Sequence, residues 1–421
     1  MNLSQAQLQR WKVVENVVQG RATVGEAAAL LGLSRRQVRR LKRRYQPGPP
    51  AWVCHGNQGR RPHNVLPQKL RPAVLKLAAG KYGGFNDSHL HEKLVQEEGL
   101  CLSRQSVRRI LRAAGIRSPQ RRRPPKYRSR RERRPQQGMM LQVDGSRHDW
   151  LEGRGPSLTL LGLIDDASGE VPVAQFQLTH EDSAGYLRLF RCLVEQEGIP
   201  LAVYRDQHST FQRNDEHWSL AEQLQGFQFP TQVGRALEEL GITAIAAYSP
   251  QAKGRIERLW RTFQDRLVSE LRLAGARTVE EANAVLARFL PAYNQRFRKS
   301  PLRSGSAYRK LDRRLDLDYI FSLRYERTVG QDHVVQTVPG LAIQLPSLPG
   351  GRGYAGRKVQ VCQQPNGDLC FYLDHRLLHH VPAPPDAPPV RAPRRKRRSS
   401  APRKPPPKIY SYAGRPALAL A

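Results

Sequence analysis

The order of strand and helix patterns in the middle of the chain constrains its fold more than any other feature. From Met139 onward, short apolar runs and amphipathic runs follow one another in the order β-β-β-α-β-α-β-α. The strand patterns are residues 140–144, 158–164, 171–178, 201–206 and 242–246, and the helical patterns are residues 182–197, 233–240 and 253–273. Three successive strands followed by alternation predict a mixed sheet with helices on both faces. We therefore expect an α/β domain at residues 137–300.

Two strongly basic segments flank this nearly neutral body. The chain has 421 residues and a formal net charge of +34. Lys and Arg outnumber Asp and Glu by 31 to 7 in residues 1–135 and by 10 to 1 in residues 383–421, against 29 to 28 between them. Such segments attract a polyanion, because each neutralised phosphate releases counterions. Nucleic acid is the predicted partner, and loose binding of ribosomal RNA by basic tails is the alternative on charge alone.

Membrane and disulfide-stabilised classes are excluded by composition. No apolar run approaches the roughly 20 residues that span a bilayer, and the N-terminus lacks the apolar segment of a signal peptide. Five cysteines without a CxxC pair exclude a disulfide scaffold. We expect a cytoplasmic, nucleoid-associated protein that does not bind membranes.

Residues 1–50 carry the pattern of a helix-turn-helix domain. A helix ends at Gly20, a second runs from Thr23 to a turn at Gly32, and Ser34 caps a third. In such domains the second helix of the motif enters the major groove. The residues predicted to contact DNA are those on its exposed face, namely Arg35, Arg36, Gln37, Arg39 and Arg40.

A second helix-turn-helix domain is predicted at residues 67–116, after a basic linker at 51–66 that contains Arg60 and Arg61. Ser103 caps its last helix, and the arginines on that helix repeat the pattern of the first domain. Together the two domains would read a site longer than one helical turn of DNA. The further residues predicted to contact DNA are Arg60, Arg61, Arg104, Arg108 and Arg109.

The remaining segments are predicted to be a linker and a C-terminal region. Residues 117–136 are rich in Arg and Pro and predict an extended linker, ordered only by DNA. Residues 301–382 predict a small β-barrel with a turn at Asn366-Gly367. Residues 383–421 predict a disordered, basic, Pro-rich tail.

Three carboxylates stand where the predicted sheet would form a crevice. Asp144 and Asp206 end predicted strands, and Glu257 lies near the start of a predicted helix. Strand ends and a neighbouring helix N-terminus converge on one crevice in such a sheet. Three carboxylates there suit two Mg²⁺ (or Mn²⁺) ions for phosphoryl transfer. Asp165 and Asp166 are instead predicted to shape the turn after the second strand.

The sequences around these carboxylates resemble a known family. Leu141-Gln-Val-Asp-Gly-Ser146, Ile164-Asp-Asp-Ala-Ser168, Tyr204-Arg-Asp206 and Tyr248-Ser-Pro-Gln-Ala-Lys-Gly-Arg-Ile-Glu-Arg258 are similar to the integrase-core DDE transposases of bacterial insertion sequences, of the ISNCY type. The resemblance implies an RNase H-like catalytic core at 137–300, with Asp144, Asp206 and Glu257 as the catalytic, metal-binding triad. It further implies binding to the terminal inverted repeats, strand cleavage, and transfer into double-stranded target DNA.

Several features depart from that family pattern. Asp206 and Glu257 lie 51 positions apart, which we interpret as an inserted flap at 208–232 and which leaves Glu222 and Glu238 as rival third ligands. Lys253 and Arg255 are predicted to hold DNA phosphates, with simple solvation as the alternative. The N-terminal zinc site of retroviral relatives is absent, because no CxxC follows His89 and His91, which are therefore predicted to be surface residues.

The sequence leaves two other functions open. One is a degenerate or domesticated protein that binds DNA without cutting it, and the other is an RNase H-like nuclease without strand transfer. A transposon has two ends, whereas each chain carries one set of three carboxylates. We therefore also expect a homo-oligomer, at least a dimer on DNA.

Overall fold

The computed structural model describes residues 3–48, 51–54, 65–119, 124, 131–178, 180–213, 216, 218–247, 253–338, 341–346, 353–374, 376–383 and 390. The described residues of Met1–Lys76 form one compact unit, and those of Leu77–Ala421 form a second. Arg60, Arg61, the stretch from Tyr248 to Ala252 and nearly all of the predicted basic tail lie outside the described residues.

The first unit contains the predicted helix-turn-helix domain. Its helices are α1 (Gln5–Val18), α2 (Val24–Leu31) and α3 (Arg35–Arg44). Each begins with a capping box, in which a Ser or Thr side chain and a Gln or Glu three residues later satisfy free backbone amides. Gly32 ends α2 in the left-handed conformation that glycine adopts without strain. Val17, Ala28 and Val38 pack in the core of the three helices, which confirms the prediction.

Three more helices follow, as the sequence predicts for residues 67–116. They are α4 (Leu70–Ala79), α5 (Asp87–Gln96) and α6 (Arg104–Ala113). The Asn86 side chain caps α5 and Ser103 caps α6. α5 and α6 bury apolar residues on their inner faces and belong to the same compact unit as the central sheet.

The central domain is a five-stranded mixed sheet in the order β3-β2-β1-β4-β5. Its strands are β1 (Leu141–His148), β2 (Leu158–Asp165), β3 (Ala174–Gln177), β4 (Ala202–Arg205) and β5 (Thr243–Ala246). Its helices are α7 (Ser183–Gln196), α8 (Leu220–Gln225), α9 (Gln232–Glu239), α10 (Gly254–Leu273) and α11 (Val279–Phe297). β1, β2 and β3 are antiparallel, whereas β1, β4 and β5 are parallel. The predicted mixed sheet is confirmed, and α8 is a further helix inside the predicted flap.

Each face of the sheet has its own apolar core. Leu141 and Val143 point toward α7 and α9, and Leu160 and Ile164 point toward α10 and α11. Because side chains alternate along a strand, Asp144 lies on the α10 side of β1. Asp144 pairs with Gly162 of β2, and a Cβ at Gly162 would lie 2.9 Å from the Trp260 ring of α10. Glycine there leaves room for the indole beside Asp144.

Two asparagines of α11 form hydrogen bonds with the backbone of β3 and of the segment before it. The Asn283 amide accepts from the backbone N–H of Phe176 (2.8 Å) and donates to its carbonyl (3.1 Å). Asn294 makes the same pair of bonds to Val171, both 2.9 Å. Backbone groups that would otherwise be open to another strand are thereby satisfied.

The C-terminal region contains the predicted strands in two separate sheets. After α12 (Leu317–Ile320) come β6 (Leu323–Thr328), β7 (Val334–Val338), β8 (Leu341–Gln344), β9 (Lys358–Gln363), β10 (Leu369–Leu373) and β11 (Arg376–Val381). The first sheet has the order β11-β10-β9-β6, and β7 pairs with β8 in the second. Strand pairing among the described residues does not close a barrel, so the barrel is not confirmed.

The described end of the predicted 117–136 linker packs against the sheet domain. The side chain of buried Asp166 binds the Arg131 guanidinium and the backbone N–H of Arg134, the latter at 2.9 Å. Arg133 donates to the carbonyls of Asp166 (3.1 Å) and Ala167 (2.9 Å). The prediction that DNA alone would order this segment is wrong for residues 131–134, because a buried carboxylate neutralises part of their charge. No helix among the described residues is long and apolar enough to cross a membrane.

Candidate active site on strand β1 and after strand β4

Two of the predicted carboxylates lie side by side because β1 and β4 are parallel neighbours. Leu141 and Gln142 of β1 pair with Val203 and Tyr204 of β4. Asp144 follows in β1, and Asp206 comes directly after the last residue of β4. The prediction that Asp144 ends its strand is wrong, because β1 continues to His148, but Asp144 lies just beyond the residues that pair with β4. Both carboxylates therefore lie beside the carboxyl end of β4, a place where open α/β sheets bind ligands.

A single ammonium group joins the two aspartates. Lys253 Nζ lies 2.8 Å from Asp144 Oδ1 and 3.4 Å from Asp206 Oδ2, and its side chain is only 10% exposed. The other oxygens accept from neutral N–H groups: Trp260 Nε1 donates to Asp144 Oδ2 at 3.0 Å, and the backbone N–H of His208 donates to Asp206 Oδ1 at 3.0 Å. One oxygen of each aspartate is thus fixed, and the other faces a shared cation.

Glu257, the third predicted ligand, lies in the first turn of α10 and is exposed. It follows Lys253, the residue before the helix, by four positions and precedes Trp260 by three, but unlike these two buried residues its side chain is exposed. Among the described residues, no group of three or more His, Cys, Asp or Glu side chains is arranged to hold a metal ion. The structure therefore brings Asp144 and Asp206 to one cation, whereas Glu257 is exposed at the start of α10.

A fourth carboxylate, Glu181, was missed by sequence reasoning. It lies in the loop before α7, its carboxyl group packs over Gly145 where a Cβ would overlap it, and Tyr186 donates to Glu181 Oε2 at 2.6 Å. Burial raises the pKa of Glu181, the Tyr186 bond opposes this, and the charges of Asp144 and Asp206 raise it further. No spacing marks this residue, because a loop carries no periodic pattern.

Neither rival third ligand shares this arrangement. The Glu222 side chain is buried in the flap, where it binds the Arg213 guanidinium and accepts from the backbone N–H of Ser219 (2.7 Å) and Phe229 (2.8 Å). These bonds, chiefly to the Ser219 backbone, lower the pKa of Glu222 to about 2. Glu222 therefore holds the flap together, and Glu238 is exposed on α9.

Asp165 and Asp166 shape the turn after β2, as predicted, and Asp166 also forms ion pairs. Asp165 accepts from the backbone N–H of Ser168 (2.7 Å) and of Gly138 (2.9 Å), and burial raises the pKa of this carboxyl. Arg255, a predicted phosphate ligand, donates to Asp166 at 2.6 Å and to the Arg131 carbonyl at 3.0 Å. Its guanidinium is anchored beside the site, and contact with DNA stays a prediction for Arg255 and for Lys253.

The Asp144–Asp206 pair fits a divalent metal ion by the chemistry of its donors. Two carboxylate oxygens converge on one position, and Mg²⁺ prefers such hard oxygen ligands. The Lys253 ammonium already stands at that position as a cation, which shows that the two oxygens are spaced for a shared positive charge. Glu181 lies beside the pair, packed against Gly145, and Glu257 is exposed at the start of α10.

The arginines predicted to contact DNA lie on the surfaces of two helices. On α3, the five predicted residues are all exposed, and Gln37 also serves the capping box by accepting from the backbone N–H of Ser34 at 3.1 Å. On α6, Arg104, Arg108 and Arg109 are exposed. Arg109 also donates to Ser106 Oγ at 3.3 Å.

The prediction that His89 is a surface residue is wrong. His89 is 4% exposed, and its Nε2 lies 2.7 Å from Glu270 Oε1 of α10. His91 is half-buried and bonds the Leu102 carbonyl. His89 is buried because α5 lies against α10 through polar side chains. We call this contact the docking interface; it comprises Asn86, His89, Glu92 and Lys93 with Asp265, Arg266, Glu270 and Arg296.

Comparisons with known proteins identify one domain family and two relatives of this chain. A helix-turn-helix domain family matches residues 9–48, which include α2 and α3. A putative transposase, y4bF, of Sinorhizobium fredii is 36% identical over 381 residues, covering 90% of this chain and 81% of that protein. The transposase for insertion sequence IS1202 of Streptococcus pneumoniae is 29% identical over 411 residues, covering 88% and 85%.

Among solved structures, the similarity is weaker. A chain in the cryo-EM structure of the simian T-cell lymphotropic virus intasome in complex with PP2A regulatory subunit B56 gamma is 14% identical. It aligns with 73% of this chain and 96% of its own length at a TM-score of 0.30, which is too low to define a common fold. The sequence relatives decide the family, because one of them is more than a third identical over nine-tenths of the chain. The chain belongs to the transposases of bacterial insertion sequences.

Proposed function

We propose that this transposase binds the terminal inverted repeats of its element and cuts and transfers DNA strands with Asp144, Asp206 and Glu257 as the metal-binding triad of an RNase H-like core. The cofactor would be two Mg²⁺ or Mn²⁺ ions. The observation that carries the proposal is the convergence of one oxygen from Asp144 and one from Asp206 on a single cation. The sheet order and the place of Glu257 in the first turn of α10, three residues before Trp260, support it.

The chain's own residues would orient the ligands. Trp260 fixes Asp144 Oδ2, so Asp144 Oδ1 remains for a cation, and the backbone N–H of His208 does the same for Asp206. When bound, the metal ions would activate the attacking hydroxyl and stabilise the leaving 3′ oxygen of an in-line displacement. Water would attack in cleavage and a DNA 3′ hydroxyl in joining, without a covalent protein intermediate.

DNA recognition would be divided between the helical regions. The exposed arginines of α3 and α6 would contact phosphates and base edges of the repeat, and Lys253 would reach a phosphate near the scissile bond. One set of three carboxylates per chain and two transposon ends favour at least two chains acting together.

The test is to measure cleavage and binding of a terminal-repeat duplex by purified variants. Asp144→Asn, Asp206→Asn and Glu257→Gln each remove one ligand charge, and we expect cleavage to fall by about a thousandfold or more while binding is retained. Glu238→Gln is the matched control, because Glu238 is exposed on α9, and it should cut normally. Full cleavage by Glu257→Gln would show that Glu257 is not the third ligand.

A joining assay separates the remaining alternatives. Incubation of a pre-cut repeat end with target plasmid should yield joined products with the native chain and none with Asp144→Asn. A nuclease would cut without joining, and a degenerate DNA-binding protein would do neither.

A further inference from the structure

We propose that Lys253 is a built-in counter-ion of the active site: its ammonium holds Asp144 and Asp206 together in the metal-free protein and is displaced when a divalent cation binds. This inference rests on the proposed metal site at the two aspartates. It assigns Lys253 a positioning role that is separate from contact with DNA.

The hydrogen bonds around the two carboxylates carry the inference. Each aspartate has one oxygen held by an N–H donor of fixed position, the Trp260 indole in one case and the His208 backbone in the other. The remaining oxygens both face Lys253 Nζ, at 2.8 and 3.4 Å. Among the ion pairs of the described residues, these two contacts are the only ones that Asp144 and Asp206 make.

Electrostatics explains why a cation is needed there. Asp144 and Asp206 carry like charges at short range, and Glu181 is close enough for both to raise its pKa. The Lys253 side chain is 10% exposed, so its charge is only weakly screened by solvent. Without the ammonium, the two carboxylates would repel each other and lose their shared orientation.

The same geometry makes metal and lysine competitors. A divalent ion that binds both Asp144 Oδ1 and Asp206 Oδ2 must take the position of Nζ, because Nζ occupies the place within reach of both oxygens. The displaced Lys253 stays beside the site, since its backbone begins α10 next to Gly254. It is then free to hold a phosphate oxygen, which suits a compact ammonium.

The first experiment measures Mn²⁺ binding to the full chain by electron paramagnetic resonance of the free ion. Lys253→Met removes the charge and keeps the length of the side chain, and we expect Mn²⁺ to bind about tenfold more tightly, equivalent to about 1.4 kcal/mol. Lys253→Arg should bind Mn²⁺ as the native chain does or more weakly. Arg258→Met removes an exposed charge from the same helix and is the matched control, with little change expected.

The second experiment uses the native chain and does not depend on a variant's folding. Acetylation of lysines by an activated ester is followed by mass spectrometry with and without Mg²⁺. Mg²⁺ should increase labelling of Lys253 severalfold, because the displaced ammonium becomes accessible, and leave exposed Lys358 unchanged.

Two results would overturn the inference. One is Mn²⁺ binding to Lys253→Met that is no tighter than to the native chain, and the other is Mg²⁺ that leaves Lys253 labelling unchanged or lowers it. Failure of the metal site itself is distinguished by Asp144→Asn: undiminished Mn²⁺ binding to that variant would refute the proposed function rather than the role of the lysine alone.

Discussion

The regions around α3 and α6 carry the same sequence pattern and have different structural settings. Both helices begin at a capping serine, Ser34 or Ser103, and expose a row of arginines. α3 belongs to a compact unit of its own, within Met1–Lys76. α6 belongs to the unit that contains the central sheet, where its neighbour α5 forms the docking interface with α10. The arginine-bearing pattern of α6 is therefore linked, through α5, to α10, the helix that carries Glu257.

The docking interface contains several paired charges. Arg266 binds both oxygens of Glu92, at 2.8 and 2.9 Å, and Arg296 binds the same carboxylate at 2.7 Å. Lys93 and His89 bind Glu270. Because such pairs require defined geometry, the interface fixes α5 and α6 relative to the helix that carries Glu257. If the arginines of both helices contact DNA as proposed above, α6 would position DNA for cutting and α3 would contribute affinity.

The largest expected effect separates these roles by removing arginines from one helix at a time. In the full chain, replacing Arg35, Arg36, Arg39 and Arg40 by Ala should weaken binding to the terminal repeat by about a hundredfold or more and reduce the slope of log affinity against log salt by up to about 0.9 per lost phosphate contact. Cleavage should recover at saturating DNA, because the Leu77–Ala421 unit, which holds the candidate active site, is unchanged.

The matched variant replaces Arg104, Arg108 and Arg109 by Ala. Here cleavage should stay impaired at saturating DNA. α6 lies in the Leu77–Ala421 unit, which also holds the candidate active site, so loss of its arginines should misplace the scissile phosphate. The measurements are salt-dependent binding and single-turnover cleavage. Equal recovery of both variants at saturating DNA would remove the distinction between the two regions.

The next effect concerns the stability of the docking interface. Arg266→Ala leaves Glu92 with Arg296 alone in a site where the Glu92 side chain is 13% exposed. Breaking a buried pair is costly, and we expect the free energy of unfolding of the Leu77–Ala421 unit to fall by about 3 kcal/mol. Urea denaturation followed by circular dichroism measures it.

A surface ion pair provides the control for this change. Arg314 pairs with Asp312, and the Arg314 side chain is 90% exposed, so Arg314→Ala should leave the urea midpoint unchanged. If the two variants shift the midpoint equally, the docking interface contributes no more than a surface pair does.

The sequence predicted the strands and helices whose buried faces repeat at a regular spacing. The strands and helices of the central domain lie within a few residues of their predicted bounds, because alternation and helical spacing follow directly from which face is buried. The sequence also predicted that Asp144 and Asp206 lie close together, because both were placed at the ends of predicted strands of one sheet, although β1 continues past Asp144 to His148. Glu222 could not be distinguished from Glu257 by sequence. The structure distinguishes them, because Glu222 accepts from the Ser219 backbone and binds Arg213.

No comparable sequence pattern predicted the docking interface or the contacts of Lys253 with the two aspartates. Glu92 and Arg266 are 174 positions apart, and His89 and Glu270 are 181 apart. Charged side chains on a helix predict a solvated face equally well, so nothing in the local pattern marks them as partners. The link between Lys253 and two aspartates likewise depends on the strand order, which places β1 beside β4.

The smallest expected effect is a pH dependence of the same interface at Glu270. Burial alone would raise the pKa of Glu270, but hydrogen bonds from His89 and Lys93, together with their charges, outweigh it and lower the pKa below its ordinary value. The unfolded chain therefore binds a proton at Glu270 more readily than the folded chain does. Stability from this carboxylate is complete above its ordinary pKa and is lost as the pH falls from about 5 toward 3.

Glu270→Gln should lower stability at pH 6 by less than Arg266→Ala does, and it should remove part of the decline between pH 5 and pH 3. Urea midpoints at several pH values measure both quantities. Glu280→Gln, at an exposed position on α11, is the control and should retain the native pH dependence. If Glu270→Gln also retains it, the bonds to His89 and Lys93 do not contribute to stability, and the coupling of α5 to α10 must be attributed to the pairs of Arg266 with Glu92 and of Asn86 with Asp265.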